Sequence, residues 1–127
     1  INTPVDLHDL QAFLFDSYEI DKNSYMLGFP LNKINNNDQD RKIFSEYHGH
    51  GAPGSSFMIR KGKWKYVYYF DAPNQLYDLD TDPNELTNLI ENNYEITLEL
   101  HKELEDICSP TKEHYIAEKF IESQLIN

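Results

Sequence analysis

His48 and His50 stand two residues apart in the run His48-Gly49-His50-Gly51-Ala52-Pro53-Gly54-Ser55-Ser56. An imidazole can donate to an anion or a hydroxyl, and glycine neighbours let the backbone come close to such a ligand. The bland alternative is a pair of solvent-facing loop side chains with local hydrogen bonds. A metal site is the poorer reading, because a closed site takes three or four ligands and no further ligand cluster is evident in the chain. Downstream, Arg60, Lys61, Lys63 and Lys65 have the chemistry to hold a sulfate or phosphate, arginine as a bidentate fork and lysine as a point charge. Alternation along a strand sends at most half of them to one ligand, and lysines on a strand edge or hairpin tip also serve solubility. Arg60 and Lys65 join His48 and His50 as the candidate ligand contacts.

Other chemistry-bearing residues fall away on spacing. Asp78, Asp80 and Asp82 are two apart like calcium-loop acids, but Pro83 occupies the sixth position and Leu89 the twelfth, where an EF-hand needs glycine and an acid. They read as turn and cap residues. Ser55 and Ser56 lack a Gly-x-Ser-x-Gly elbow. Cys108 is the only cysteine, so no internal disulfide forms, and it has no His and acid partners near it in sequence. No complete catalytic set is present, and no residue is assigned as catalytic or metal-binding.

The elements that must position these residues follow from periodicity. Thr3-Pro4-Val5-Asp6 reads as a helix start, with Thr3 as cap and Pro4 at the first helical position. Leu7, Leu10, Phe13, Leu14 and Phe15 then form a wide apolar stripe that something must cover. Residues 21 to 41 are polar, Asn-rich and broken by Gly28 and Pro30, which predicts an irregular connector. From Lys42 the period becomes two. Strands are predicted from Lys42 to Tyr47, Phe57 to Arg60, Trp64 to Phe70 and Gln75 to Leu79, joined by short loops into an antiparallel meander. Trp64, Tyr66, Tyr68 and Phe70 share one face and are read as core. Residues 84 to 90 read as one or two helical turns, Asn92 and Glu95 as a capping box for a longer helix along Ile96, Leu100, Leu104 and Ile107. Ser109-Pro110 ends that helix and begins another, with Ile116, Phe120 and Ile121 as buried candidates. The result is an α+β unit: a four-stranded antiparallel sheet packed against a long C-terminal helix, preceded by one N-terminal helix, its other face available to a larger body.

Composition sets the remaining bounds. A chain of 127 residues, 39% apolar and 13% aromatic, closes one core and is not a disordered tail. The net charge of -11 is uneven: residues 1 to 40 hold seven acids and two bases, 41 to 70 one acid and six bases, 71 to 127 fourteen acids and three bases. This acidity argues against nucleic acid, while the basic middle third suits an anionic ligand or acids of the same chain. No apolar run is long enough to span a membrane. Ile1 is not an initiator and no secretion signal follows it, so the sequence is expected to be a piece or cleavage product of a longer one.

Three stretches carry a resemblance. Phe44-Ser45-Glu46-Tyr47-His48-Gly49-His50-Gly51, Phe57-Met58-Ile59-Arg60-Lys61-Gly62-Lys63-Trp64-Lys65-Tyr66, and Gln75-Leu76-Tyr77-Asp78-Leu79-Asp80-Thr81-Asp82-Pro83-Asn84-Glu85-Leu86-Thr87-Asn88-Leu89, in that order, resemble the C-terminal subdomain of type I sulfatases in the alkaline phosphatase superfamily. Thr3 to Leu10 looks like the helix that closes the preceding catalytic domain, Gly28-Phe29-Pro30-Leu31 like the short segment after it, and Ser109 through Gln124 like the tail of choline-sulfatase-like members. The resemblance implies a division into residues 1–41, from the end of the catalytic domain, and 42–127, the C-terminal subdomain of an alkaline-phosphatase-like α/β enzyme. It implies a parent that hydrolyses sulfate monoesters with a formylglycine, made from a Cys/Ser-x-Pro-x-Arg motif, and a calcium ion. Cys108-Ser109-Pro110-Thr111 lacks that spacing and arginine. This portion is therefore expected to hold no cofactor, to be inactive alone, and to complete the fold and the substrate-cleft rim. Its implied partners are the catalytic domain of the same protein, a sulfated small molecule or sugar, and a second copy in a homo-oligomer. The choline-type tail favours a cytoplasmic location. Two alternatives stay open: a docking or oligomerisation module without substrate contact, and the tail of a related phosphodiesterase or phosphonate monoester hydrolase.

Overall fold

The computed structural model describes residues 2–49 and 54–125, the side chain of Leu125 excepted. In chain order it contains α1 (Leu7–Ser17), a short 3-10 turn (Leu31–Lys33), β1 (Lys42–Tyr47), β2 (Ser56–Lys61), β3 (Trp64–Tyr69), β4 (Gln75–Asp78), α2 (Tyr94–Ile107) and α3 (Pro110–Leu125). The strands form one antiparallel sheet in the order β1-β2-β3-β4, the meander expected from the short loops. The register is set at the β2–β3 hairpin, where Lys61 pairs with Trp64 across two residues and Gly62 takes φ +54. A positive φ at the first turn position matches the strand twist, and glycine adopts it without a Cβ penalty.

Side chains at paired positions share a face, and this register brings Phe44, Ile59, Tyr66 and Leu76 into one row. That row, with Phe57, meets Leu100 and Leu104 of α2 to make the core; Trp64, Tyr68, Leu89, Ile90 and Ile96 pack partly around it. Burying such side chains contributes roughly 1.5–3 kcal/mol each before conformational entropy is subtracted. Lys61, on the same face, donates to Glu99 and Glu103 of α2 at 2.9 and 2.8 Å. The opposite face carries Ile43, Ser45, Met58, Arg60, Lys65 and Val67.

Several local expectations are corrected. The N-cap of α1 is Asp6, not Thr3: its side chain accepts from the N–H groups of His8 and Asp9, and Asp9 accepts in return from the Asp6 N–H, a full capping box. Thr3 instead donates to the Asn35 carbonyl and accepts from the Asp38 N–H, tying the start of the chain to the connector. Asp9 and Ala12 are the buried residues of α1, whereas Leu7 is 81% exposed and Leu10 and Leu14 are also exposed. Residues 84–90 form turns rather than helix. Asp82 accepts the Thr87 N–H, and the Leu89 N–H donates to the Leu76 carbonyl, so edge pairing to β4 displaces helical bonding. The N-cap of α2 is Asn93, without a side-chain cap bond; its amide donates to the Leu89 carbonyl instead. On α3, Ile116, Phe120 and Ile121 are exposed while His114 is buried, the reverse of the expected inward face.

The connector is held by one buried carboxylate. Asp9 accepts from the Phe29 N–H at 2.9 Å, the Arg41 guanidinium at 2.6 Å and the Asp6 N–H at 3.0 Å. Burial alone raises its carboxyl, but these donors outweigh that cost and hold it below the ordinary 3.8. Gly28 passes so close that a Cβ there would lie 1.9 Å from the His8 carbonyl oxygen.

Candidate functional site

The glycine-rich loop leaves the sheet after Tyr47 and returns at Ser56, which pair across β1 and β2. His48 and Ser55 therefore stand side by side at its two ends. Ser55 is fixed from the end of β3, since its carbonyl accepts the N–H of the next residue, Phe70, at 2.9 Å. Beside it, Gly54 lies so near Phe70 that a Cβ would be 2.4 Å from that residue's carbonyl oxygen. The hydroxyl of Ser55 is 2.8 Å from His48 Nδ1 and 3.0 Å from His114 Nδ1. Phe70 stacks on the His114 ring, centroids 3.7 Å apart and planes inclined by 20°. Glu118, one turn along α3, places Oε1 3.4 Å from His114 Nε2, and Glu46 places Oε2 3.7 Å from His48 Nε2. Phe57 meets the His48 ring edge-on. His48, Ser55, His114 and Glu118 line a recess of about 100 Å³ that also touches Gly49, Gly54, Ala117 and Ile121, room for a few waters or one small polar group.

Ser55 and His114 are each 4% exposed. A serine enclosed in this way is a connector, and the serine that sequence spacing left without a role is explained by hydrogen bonding to two rings. His114 and Glu118 were not among the sequence candidates. His114 is 59 positions from Ser55, and only its i,i+4 spacing to Glu118 after Pro110 hinted at a polar helix face.

The three described ligand candidates, His48, Arg60 and Lys65, do not share one site. His50 lies outside the described residues. His48 sits at the end of β1, while Arg60 and Lys65 are cross-strand neighbours on the opposite sheet face, at the Ile43 rung. Four residue steps along β2 separate Arg60 from Ser56, roughly 13 Å of strand. Lys65 donates to Glu85 at 2.6 Å. Arg60 lines a wide polar cleft of about 510 Å³ with Asn2, Asn37, Gln39 and Asp80, and its Nε is buried without a hydrogen-bond partner. Lys63 donates to Asp78 at 2.7 Å and lies over the Trp64 ring. The basic stretch is thus largely neutralised by acids of the same chain.

The turn acids are equally committed. Asp78 accepts the Asp80 and Thr81 N–H groups on Oδ1 and Lys63 on Oδ2; the lysine bond, against the cost of burial, holds its carboxyl below the usual range. Among the described residues, no three His, Cys, Asp or Glu are grouped to hold a metal ion. Burial pushes the Cys108 thiol up to about 11, helped by Glu46, Glu105 and Glu113, which suppresses the nucleophilic thiolate. Among the described residues, no helix is long and apolar enough to cross a membrane.

The fold and this local sequence have counterparts among known proteins. Residues 4–109 match the family model described as N-sulphoglucosamine sulphohydrolase, C-terminal. Mouse arylsulfatase K is 39% identical over 87 residues, 66% of this chain and 16% of that protein. The bovine arylsulfatase K is 30% identical over an alignment of 139 positions, covering 99% of this chain and 26% of that protein. A choline-sulfatase of Rhizobium meliloti is 44% identical over 59 residues, 46% of this chain and 12% of that protein. Among solved structures, a 2-O GAG sulfatase superposes with TM-score 0.69 at 24% identity, covering 86% of this chain and 26% of that one. The phosphonate monoester hydrolase of Agrobacterium radiobacter gives 0.57 at 22% identity, over 76% and 23%; identities this low bear on the fold. The chain spans about a quarter or less of these relatives. With four antiparallel strands backed by a helix and the family model matching from the capping segment of α1 to the start of α3, the chain belongs to the N-sulphoglucosamine sulphohydrolase C-terminal family, the C-terminal subdomain of sulfatases.

Proposed function

We propose that the protein to which this chain belongs hydrolyses sulfate monoesters, and that residues 42–127 complete its fold and form part of the rim of its substrate cleft. Residues 1–41 then belong to the end of the catalytic domain. The observation that carries the reading is the family match over residues 4–109. His48, at the mouth of the glycine-rich loop, is the described candidate whose ring borders a recess.

The bond-breaking chemistry is assigned to upstream sequence: a formylglycine and a calcium ion acting on the sulfate group. The described residues do not fit either group. Cys108-Ser109-Pro110-Thr111 is not a formylglycine motif, and Asp78 is already bonded on both oxygens, Oδ1 within its turn and Oδ2 to Lys63 of the β2–β3 hairpin. What these residues supply is binding. His48 and His50 offer imidazole N–H groups to an anionic ester. Arg60, whose Nε is buried without a hydrogen-bond partner, lines the polar cleft at the far end of the open sheet face, while Lys65 would first have to exchange Glu85. The catalytic domain of the same protein is the partner for that open face and for the exposed leucines of α1. The names of the relatives, a choline-sulfatase and a 2-O GAG sulfatase, support a sulfated small molecule or sugar as the substrate class.

The test is steady-state hydrolysis of 4-nitrophenyl sulfate and a sulfated monosaccharide by the intact protein. Replacing His48 or His50 by Asn is expected to raise KM about tenfold with kcat nearly unchanged, the pattern of lost binding to a charged group. Unaltered kinetics in both variants would remove the histidines from the rim. An intact protein that turns over neither ester would overturn the sulfatase assignment.

A further inference from the structure

We propose that the polar cleft beside the β2–β3 hairpin is a binding site for one acidic sugar unit, with Arg60 pairing to its carboxylate or sulfate group and Asp80 and the neighbouring amides taking its hydroxyls. The cleft is separate from the recess at His48. This site rests on the binding role given to Arg60 above, but it is tested by equilibrium binding, so its failure and that of the sulfatase reading are distinguishable.

Arg60 is the exception in the basic stretch. Residues 41 to 70 contain six bases, and five of them meet a carboxylate of this chain: Arg41 pairs with Asp9, Lys42 and Lys61 with Glu103, Lys63 with Asp78 and Lys65 with Glu85. Among the described residues Arg60 has no such pair, and its Nε is buried without a hydrogen-bond partner. A buried donor left without an acceptor is costly. That nitrogen and one terminal amino group form the side-on edge of a guanidinium, which a carboxylate or sulfate takes with two parallel bonds. An anion brought into the cleft completes this edge after a small turn of the side chain and removes the cost.

The walls decide what carries the anion. The cleft holds about 510 Å³, within the range of about 300–1,000 Å³ usual for small-molecule sites. Such sites are mostly apolar, whereas Asn2, Asn37, Gln39, Arg60, Lys63 and Asp80 line this one. Lys63 is neutralised by Asp78, so Arg60 is the cation with charge to spare. Asp80 would repel a bare inorganic anion. A molecule with an anionic group at one end and hydroxyls at the other uses both residues, since a carboxylate accepts from a hydroxyl. Gln39 donates to Asn37 at 2.8 Å, which leaves that pair one amide N–H donor and one amide oxygen to offer. Donors and acceptors side by side suit sugar hydroxyls, each of which gives and receives. Arg60 lies on the sheet face away from α2 and roughly 13 Å along the strand from Ser56, too far for one sugar ring to touch it and His48 together.

The experiment titrates glucuronate and glucose 6-sulfate into the intact protein, read by calorimetry and by the Arg60 Nε–H resonance of ¹⁵N-arginine-labelled material, which is identified by its loss in Arg60→Gln. Saturable binding of at least one sugar and a shift of that resonance are expected, and the tighter of the two names the anionic group. Arg60→Gln should weaken binding about tenfold or more and Asp80→Asn about twofold to fivefold, the scale of one charged and one neutral hydrogen bond. His48→Asn should leave it unchanged. If Arg60→Gln fails to fold, Asn37→Asp sets a second acid on the wall and should weaken binding about tenfold; an unchanged affinity there overturns the site. Glucose binding as tightly as the charged sugars overturns the role of Arg60, and inorganic sulfate binding as tightly overturns the sugar assignment. An affinity unmoved by Arg60→Gln overturns the site itself, and a lowered unfolding temperature in that variant would then give Arg60 to a carboxylate elsewhere in the same protein. An intact protein that hydrolyses no sulfate ester but binds these sugars through Arg60 overturns the sulfatase reading alone.

Discussion

Helices α2 and α3, of 14 and 16 residues, both carry apolar side chains at helical spacing and end in opposite situations. Leu100 and Leu104 of α2 are fully buried against the sheet, and Lys61 pins the same helix through Glu99 and Glu103. On α3, Ile116 and Phe120 face outward, Phe120 at 65% exposure. Its inward contacts are Pro110, the Tyr115 ring against Phe70, and the cluster around His114 with Ala117 and Ile121. The pair teaches that helical periodicity announces a face to be buried without naming what buries it. In α2 the cover is four strands earlier in the same chain. For the outward face of α3, and for the exposed leucines of α1, no cover of that kind exists among the described residues, in keeping with a chain that spans about a quarter or less of its relatives.

The largest effect that would break the comparison is expected at α2. Leu104→Ala removes a fully enclosed side chain and should lower stability by about 2–5 kcal/mol, measured by denaturant unfolding of the intact protein. A loss below about 1 kcal/mol would show that α2 is no more deeply seated than α3.

Next in size is the buried ion pair that holds the connector to α1. Arg41→Met leaves Asp9, 1% exposed, with backbone donors only and should cost about 1–3 kcal/mol. Acid probes the same contact. Asp9 is depressed below its ordinary 3.8, so its stabilisation is fully present above that pH and is lost as pH falls through the lower folded value. Hydrogen exchange at the Phe29 amide should therefore accelerate below about pH 4 while the β2–β3 amides stay protected, and in Arg41→Met the acceleration should begin at higher pH.

The smallest effect sharpens the contrast. Phe120→Ser touches an exposed position and should change the stability of this chain by itself by no more than about 0.5 kcal/mol. The same substitution in the intact protein, followed by thermal unfolding, reports whether another body covers α3. A clearly larger loss there would identify α3 as an interface, and equal losses would leave it a solvated helix.

Much of the scaffold was legible because strands and turns are written locally. The two-residue period from Lys42, the Gly62 hairpin and the Pro110 helix start each depend on neighbours in sequence, and each appears where expected. The residues 84–90 misread shows the limit. Their helical signals lost to a long-range bond between Leu89 and Leu76, which no local window contains. Thr3 was a plausible cap for the same reason, until its hydroxyl found Asn35 and Asp38 more than thirty positions away.

The candidate site divides along the same line. The loop chemistry singled out His48, and the alternation rule warned that the basic residues could not all face one ligand. The register then placed Arg60 and Lys65 on the face away from α2. What remained hidden was the joining of His48 to Ser55 and His114, because it depends on where α3 lands after the chain has crossed the whole sheet.

The amino-acid sequence by itself determined the element types, the meander order and the family to which they belong, since turn chemistry, periodicity and short motifs act over a few residues. The tertiary structure alone decided which charges cancel, which helix face is spent, and which histidine shares a serine. Those outcomes depend on distances of about 3 Å between residues tens of positions apart, and only packing fixes such distances.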